Sequence, residues 1–123
     1  MVKQTPKTTT KTVTNTTDTK KVYDVAEQMP SYPGGQSAMM SFLSKNLVYP
    51  EAAQKRGAQG RVTVSFVVET DGSLTGFKVA RSADPDLDRE ALRVVKMMPR
   101  WQPGKKGGKA VRVKYTVPIT FKI

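Results

Sequence analysis

The chain has 123 residues, a formal net charge of +11 and a hydrophobic content of 37%. That favours one domain with a single core. Without cysteine or histidine there is no disulfide framework and no thiolate or imidazole metal site, so any metal would have to be held by carboxylates alone. No apolar run approaches the ~20 residues that span a bilayer, and no signal-peptide pattern follows Met1.

Residues 1–21 are dominated by Thr and Lys and have no apolar period. Such a run cannot bury enough surface to offset its ordering entropy, so it reads as the end of a flexible linker. Met1 stands directly before it, and an upstream portion is expected. Residues 22–123 form the predicted domain. Residues 22–29 read as a short strand or an irregular lead-in. Pro30, Pro33, Gly34 and Gly35 then mark a turn-rich stretch. Ser37 is a predicted N-cap. Met39, Phe42, Leu43 and Leu47 follow on one helical face, and Met39 and Met40 are expected in the core. Pro50 is expected to open a second, short helix with Glu51 in its first turn and Gly57 as its stop.

Residues 60–81 carry the central hairpin. Val62, Val64, Phe66 and Val68 alternate with Arg61, Thr63, Ser65 and Val67, which puts one row in the core. Asp71-Gly72 predicts a tight primed turn, and Phe77 and Val79 share one face of the returning strand. Asp84 before Pro85 predicts an N-cap and first helical residue. Leu87, Ala91, Val94, Val95 and Met98 then keep a helical period until Pro99. Asp86, Asp88 and Glu90 sit where the macrodipole favours them, which gives them a structural rather than a catalytic reading. Residues 100–109 form a basic glycine-containing loop without the spacing of a phosphate cradle, and Trp101 is expected to cap the core edge.

The last stretch alternates again. Val111, Val113, Tyr115, Val117, Ile119, Phe121 and Ile123 form the apolar row, against Arg112, Lys114, Thr116, Thr120 and Lys122. Pro118 cannot donate to a ladder, so this strand should lie at a sheet edge or turn that position outward. An exposed edge invites another chain, and its lysines guard against self-pairing. The predicted fold is α+β: a three-stranded antiparallel sheet with two main helices on one face. After Glu90 the chain has no acidic residue. The excess positive charge suits nucleic acid, an anionic membrane surface or a solubilising linker.

Tyr49-Pro50, Ala53, Gly57, Gly60, the valine row to Val68 and Asp71-Gly72 resemble the first half of the TonB C-terminal domain pattern. Leu87-Asp88, Ala91-Leu92, Trp101, Pro103-Gly104, Val117-Pro118-Ile119 and Phe121 resemble the second. The lead-in Met29-Pro30 with Tyr32-Pro33-Gly34-Gly35 is similar to the variant of Bacteroidota-type energy transducers. One departure is Ser82-Ala83, where many members have Ser-Gly. The resemblance implies a periplasmic, non-enzymatic domain without cofactors. It would transmit proton-motive energy from an inner-membrane motor to outer-membrane transporters. The full-length protein would be held in the inner membrane by an upstream anchor. The implied partners are the TonB box and plug region of the transporter, with a homodimer as a further oligomeric state and no nucleic acid. The TonB box is bound as an added strand beside the last strand, here Val111, Arg112, Val113, Lys114, Tyr115, Thr116 and Val117, with Tyr49 and Pro50 near the peptide. Backbone groups of the Pro118 parity, those of Arg112, Lys114 and Thr116, are expected to face it. The competing readings are an envelope scaffold or sensor-fused domain of the same shape, and a basic nucleic-acid module. The second is disfavoured because a double-stranded-RNA module orders its strands before its last helix.

Overall fold

The computed structural model describes residues 21–123. The linker expected over residues 1–21 lies outside these apart from Lys21. In chain order the elements are β1 (Val22–Tyr23), α1 (Gln36–Asn46), α2 (Glu51–Lys55), β2 (Gly60–Val68), β3 (Leu74–Arg81), α3 (Pro85–Lys96), β4 (Gly104–Lys106) and β5 (Lys109–Phe121). The α+β class and the order helix, short helix, hairpin, helix, long strand are as expected. The strand count is not. The order is β1-β5-β2-β3, with β4 paired to the start of β5. Neither added strand has a period to read: β1 is 2 residues long, and β4 is the Gly-Lys-Lys of the supposed loop, which folds back on Lys109 and Ala110.

The antiparallel pairing of β2 with β5 is the spine. It runs without interruption from Gly60↔Phe121 to Val68↔Val113. Val62, Val64, Phe66 and Val68 lie on one face with Val117, Ile119 and Phe121, all buried. Met39 and Leu43 of α1 and Leu87, Ala91, Val94 and Val95 of α3 join the same cluster, so both main helices cover that one face. Each fully buried aliphatic or aromatic side chain contributes about 1.5–3 kcal/mol.

Local signals explain most helix ends. Asp84 accepts from the amides of Asp86 and Leu87 at 3.0 and 3.3 Å, and Pro85 opens α3. At α1 the cap is Gly35, not Ser37. The Gly35 carbonyl takes the Met39 amide at 3.1 Å, which puts Ser37 inside the first turn. Pro50 is itself the cap of α2 rather than its first residue. Met40 corrects a further expectation: it is 53% exposed. It stands one residue, about 100° of helix, from buried Met39, and that rotation carries it past the rim of the core.

The central turn also differs. Val68 pairs with Leu74, the Glu69 amide donates to Ser73 and the Gly72 amide donates to Glu69. Thr70, Asp71 and Gly72 therefore form a three-residue loop with Gly72 at φ +88°, instead of a two-residue primed turn. Trp101 selects it: its amide donates to the Gly72 carbonyl at 2.9 Å. The indole, 4% exposed, packs edge-on against Phe66 at 5.4 Å and Tyr115 at 5.0 Å. It closes the core edge as the sequence suggested.

Candidate functional site: the open side of the C-terminal strand

β5 has two sides. One is taken by β2 over residues 113–121. On the other, among the described residues, β1 runs parallel and covers Arg112 and Val113. Pro118 stands opposite Thr63 and has no amide to give, so this pair fits where the ladder asks for no bond. By alternation the backbone groups of Lys114, Thr116 and Thr120, with the Pro118 carbonyl, then point away from β2.

Two depressions follow each other along this side. One, of about 470 Å³, is lined by Asp24, Met29, Lys114, Tyr115 and Thr116. The next, of about 330 Å³, lies between α1 and β5 and is lined by Met40, Leu43, Ser44 and Leu47 with Pro118, Ile119 and Thr120. Its wall is largely aliphatic, and the outward displacement of Met40 from the core puts it there. An extended segment could bond to the backbone and place alternate side chains in the two depressions.

The predicted site residues divide accordingly. Lys114, Tyr115, Thr116 and Val117 lie along the open stretch. Val111, Arg112 and Val113 already have partners within the chain, in β4 and β1. The Arg112 side chain is engaged as well: its Nε donates to Glu69 Oε1 at 2.8 Å. That bond from Arg112, helped by Thr75, holds the Glu69 carboxyl below its ordinary value against the opposing effect of burial. Tyr49 sets its ring edge-on to Phe121 at 5.6 Å and donates its hydroxyl to the Ala58 carbonyl. Tyr49 therefore secures the far end of β5, Pro50 caps α2, and neither lines either depression.

Sequence reading did not find the α1 wall or Asp24 and Met29. The one available signal was Met40, an apolar residue out of phase with its helix stripe.

Glu90 braces this wall from behind. Its carboxylate accepts the Val48 amide at 2.7 Å and the Arg93 guanidinium at 2.7 Å, while Arg93 also reaches the Asn46 carbonyl at 3.0 Å. Leu47 sits between these two anchored residues. Among the described residues no cluster of three or more carboxylates could hold a metal ion. No helix among them is long and apolar enough to cross a membrane.

The chain also matches known proteins. The sequence pattern of the family described as Gram-negative bacterial TonB protein C-terminal matches residues 45–123. The chain is 40% identical over 81 residues to Protein TonB of Helicobacter pylori strain J99, covering 65% of this chain and 27% of that protein. It is 36% identical over 76 residues to Protein TonB of Pseudomonas aeruginosa, covering 62% and 22%. The match thus spans about a quarter of each relative's length. Among solved structures, the Helicobacter pylori TonB C-terminal domain superposes with a TM-score of 0.51 at 30% identity, over 70% of this chain and 90% of that one. The Pseudomonas aeruginosa TonB C-terminal domain gives 0.50 at 38% identity, over 62% and 77%.

Proposed function

Because the chain belongs to the TonB C-terminal domain family, we propose that it is the periplasmic end of an energy transducer that grips the TonB box of an outer-membrane transporter by adding it as a strand to β5. The family is not enzymatic, and neither is this domain. Its work is mechanical: proton-motive energy reaches it from an inner-membrane motor through an upstream anchor, with residues 1–21 as the end of the tension-bearing linker, and leaves through the added strand.

One observation carries this reading. β5 has a side whose backbone groups over residues 114–120 no strand among the described residues claims, bordered by two depressions. Main-chain bonding is tolerant of sequence, which suits one adaptor serving several transporters. The depressions would add preference for apolar side chains at alternate positions.

Amide exchange of the chain with and without TonB-box peptides tests it. Protection is expected at Lys114, Thr116 and Thr120. Gains at Val113 and Tyr115 instead would mean that the parity is wrong, and no gain anywhere along β5 would remove strand addition altogether.

A further inference from the structure

The β4–β5 hairpin gathers three lysines that form no ion pair among the described residues. Lys105, Lys106 and Lys109 are all exposed around the Gly107-Gly108 turn. Lys106 stands directly across from Lys109, although like charges opposite each other in a sheet are destabilising. Lys106 and Lys21 both bring an ammonium over the ring of Tyr23, at 4.8 and 4.9 Å. None of the ion pairs among the described residues uses these lysines. The Glu27 carboxylate reaches the tip but accepts from the Gly107 amide, at 2.5 Å.

Aliphatic side chains stand exposed beside this charge. Val25 is 76% exposed and Met29 43% exposed. The segment that carries them is fastened to the hairpin by the paired backbones of Gln28 and Lys105 and by Glu27. Exposed apolar side chains rimmed by unpaired cations are costly in water and favourable at an interface that offers both phosphate and hydrocarbon.

We propose that this surface seats the domain on a phospholipid bilayer containing anionic headgroups. The lysines meet the phosphates, and Val25 and Met29 enter the boundary between headgroups and acyl chains. Nucleic acid fits less well. The tip has no arginine fork for phosphate, the nearest aromatic ring already has two ammonium groups over it, and exposed aliphatics gain nothing from a sugar–phosphate backbone. An acidic protein would call for charges in register, whereas flexible lysine stems on a glycine turn suit a fluid surface. Met29 also borders the depression beside Lys114, Tyr115 and Thr116, but Val25 and the three hairpin lysines do not line it, so this inference stands without strand addition.

The test is co-sedimentation of the full chain with vesicles of phosphatidylcholine alone or with roughly one third phosphatidylglycerol, at about 0.15 M salt. Binding is expected to the anionic vesicles only. Each basic residue near such a surface contributes about fivefold, so K105Q/K106Q/K109Q should bind about a hundredfold more weakly. K45Q/K55Q/K78Q, which removes the same charge elsewhere, should bind within about threefold of the unaltered chain. Equal losses in the two triple variants would reduce the effect to net charge and overturn the proposal. As a second readout, V25W should shift its emission to the blue on anionic vesicles, and an unchanged spectrum would refute insertion. Retention of duplex DNA through the same lysines at that salt, without vesicle binding, would assign the surface to nucleic acid instead.

Discussion

Replacing Glu90 with Gln probes how the groove wall is held. Burial on its own would raise the Glu90 pKa. The bonds from Arg93 and the Val48 amide outweigh it, and the carboxyl lies below its ordinary value of 4.5. The carboxamide still offers an oxygen to Val48 but sets an N–H₂ against the guanidinium. A hydrogen bond to a charged group contributes about 1.5–3 kcal/mol against about 1 for a neutral one, so the loss should be about 1–2 kcal/mol. For a domain of this size that lowers Tm by about 5–15 °C. The sign with pH follows from the direction of the shift. A carboxyl with a depressed folded pKa contributes fully above its unfolded value and loses that contribution as pH falls through the folded one. The gap between the unaltered chain and Glu90→Gln should therefore be full at pH 7, begin to narrow near 4.5 and close below the folded pKa. Urea unfolding of both proteins at neutral and acidic pH measures it. An equal gap at both pH values would show that shape, not charge, accounts for the effect.

Gly72→Ala should cost about 2 kcal/mol or more, because the new Cβ would lie 2.1 Å from the Trp101 carbonyl oxygen at φ +88°; Trp101 fluorescence should report a looser ring and an earlier urea midpoint. Thr116→Pro removes an outward-facing amide, so the fold should survive while peptide affinity drops about fivefold to tenfold, the worth of one bond; a fold lost as completely as with Tyr115→Pro would reverse the assigned parity. Met40→Glu, at a half-exposed position, should change stability by no more than about 0.5 kcal/mol yet weaken binding of peptides with apolar side chains, measured by titration calorimetry.

Much of this was legible because it rests on local rules. The alternation of residues 60–68 and 111–121 reports burial on one face, and the Asp84-Pro85 cap is a two-residue signal. What escaped depends on distant contacts. The turn at residues 70–72 is set by Trp101, some thirty residues away in sequence. β4 exists because β5 offers it a ladder, not because Gly-Lys-Lys prefers a strand; β1 is open in sequence as a short strand or an irregular lead-in, and its pairing with β5 decides it. Glu90 reads in sequence with Asp86 and Asp88 as a helix-start carboxylate, although only those two lie in the first turn, so nothing in sequence marked it as the buried brace of the segment around Leu47. The open stretch of β5 was foreseen as an edge, but its length could not be known until β1 was placed.

That placement decides how force would travel. On the proposed function, tension from upstream of Val22 would enter at β1, which is paired to β5 on the same side that an added strand would use. β1 holds by 2 residues, whereas β5 is held to β2 by the whole register from Gly60 to Val68 and by the buried row Val117, Ile119 and Phe121. Bonds in such a register resist shear together, while a short strand yields after one or two. Under load β1 should detach first, and the pull would shift to the bridges Gln28↔Lys105 and Ser31↔Gln102 before it reaches α1. The grip on β5 would stay intact while its tether lengthens. Single-molecule pulling between residue 21 and a peptide bound on β5 should show a small early extension before rupture, and Val22→Pro should abolish that step without lowering the rupture force. A single rupture at unchanged extension in both chains would show that β1 bears no separate load.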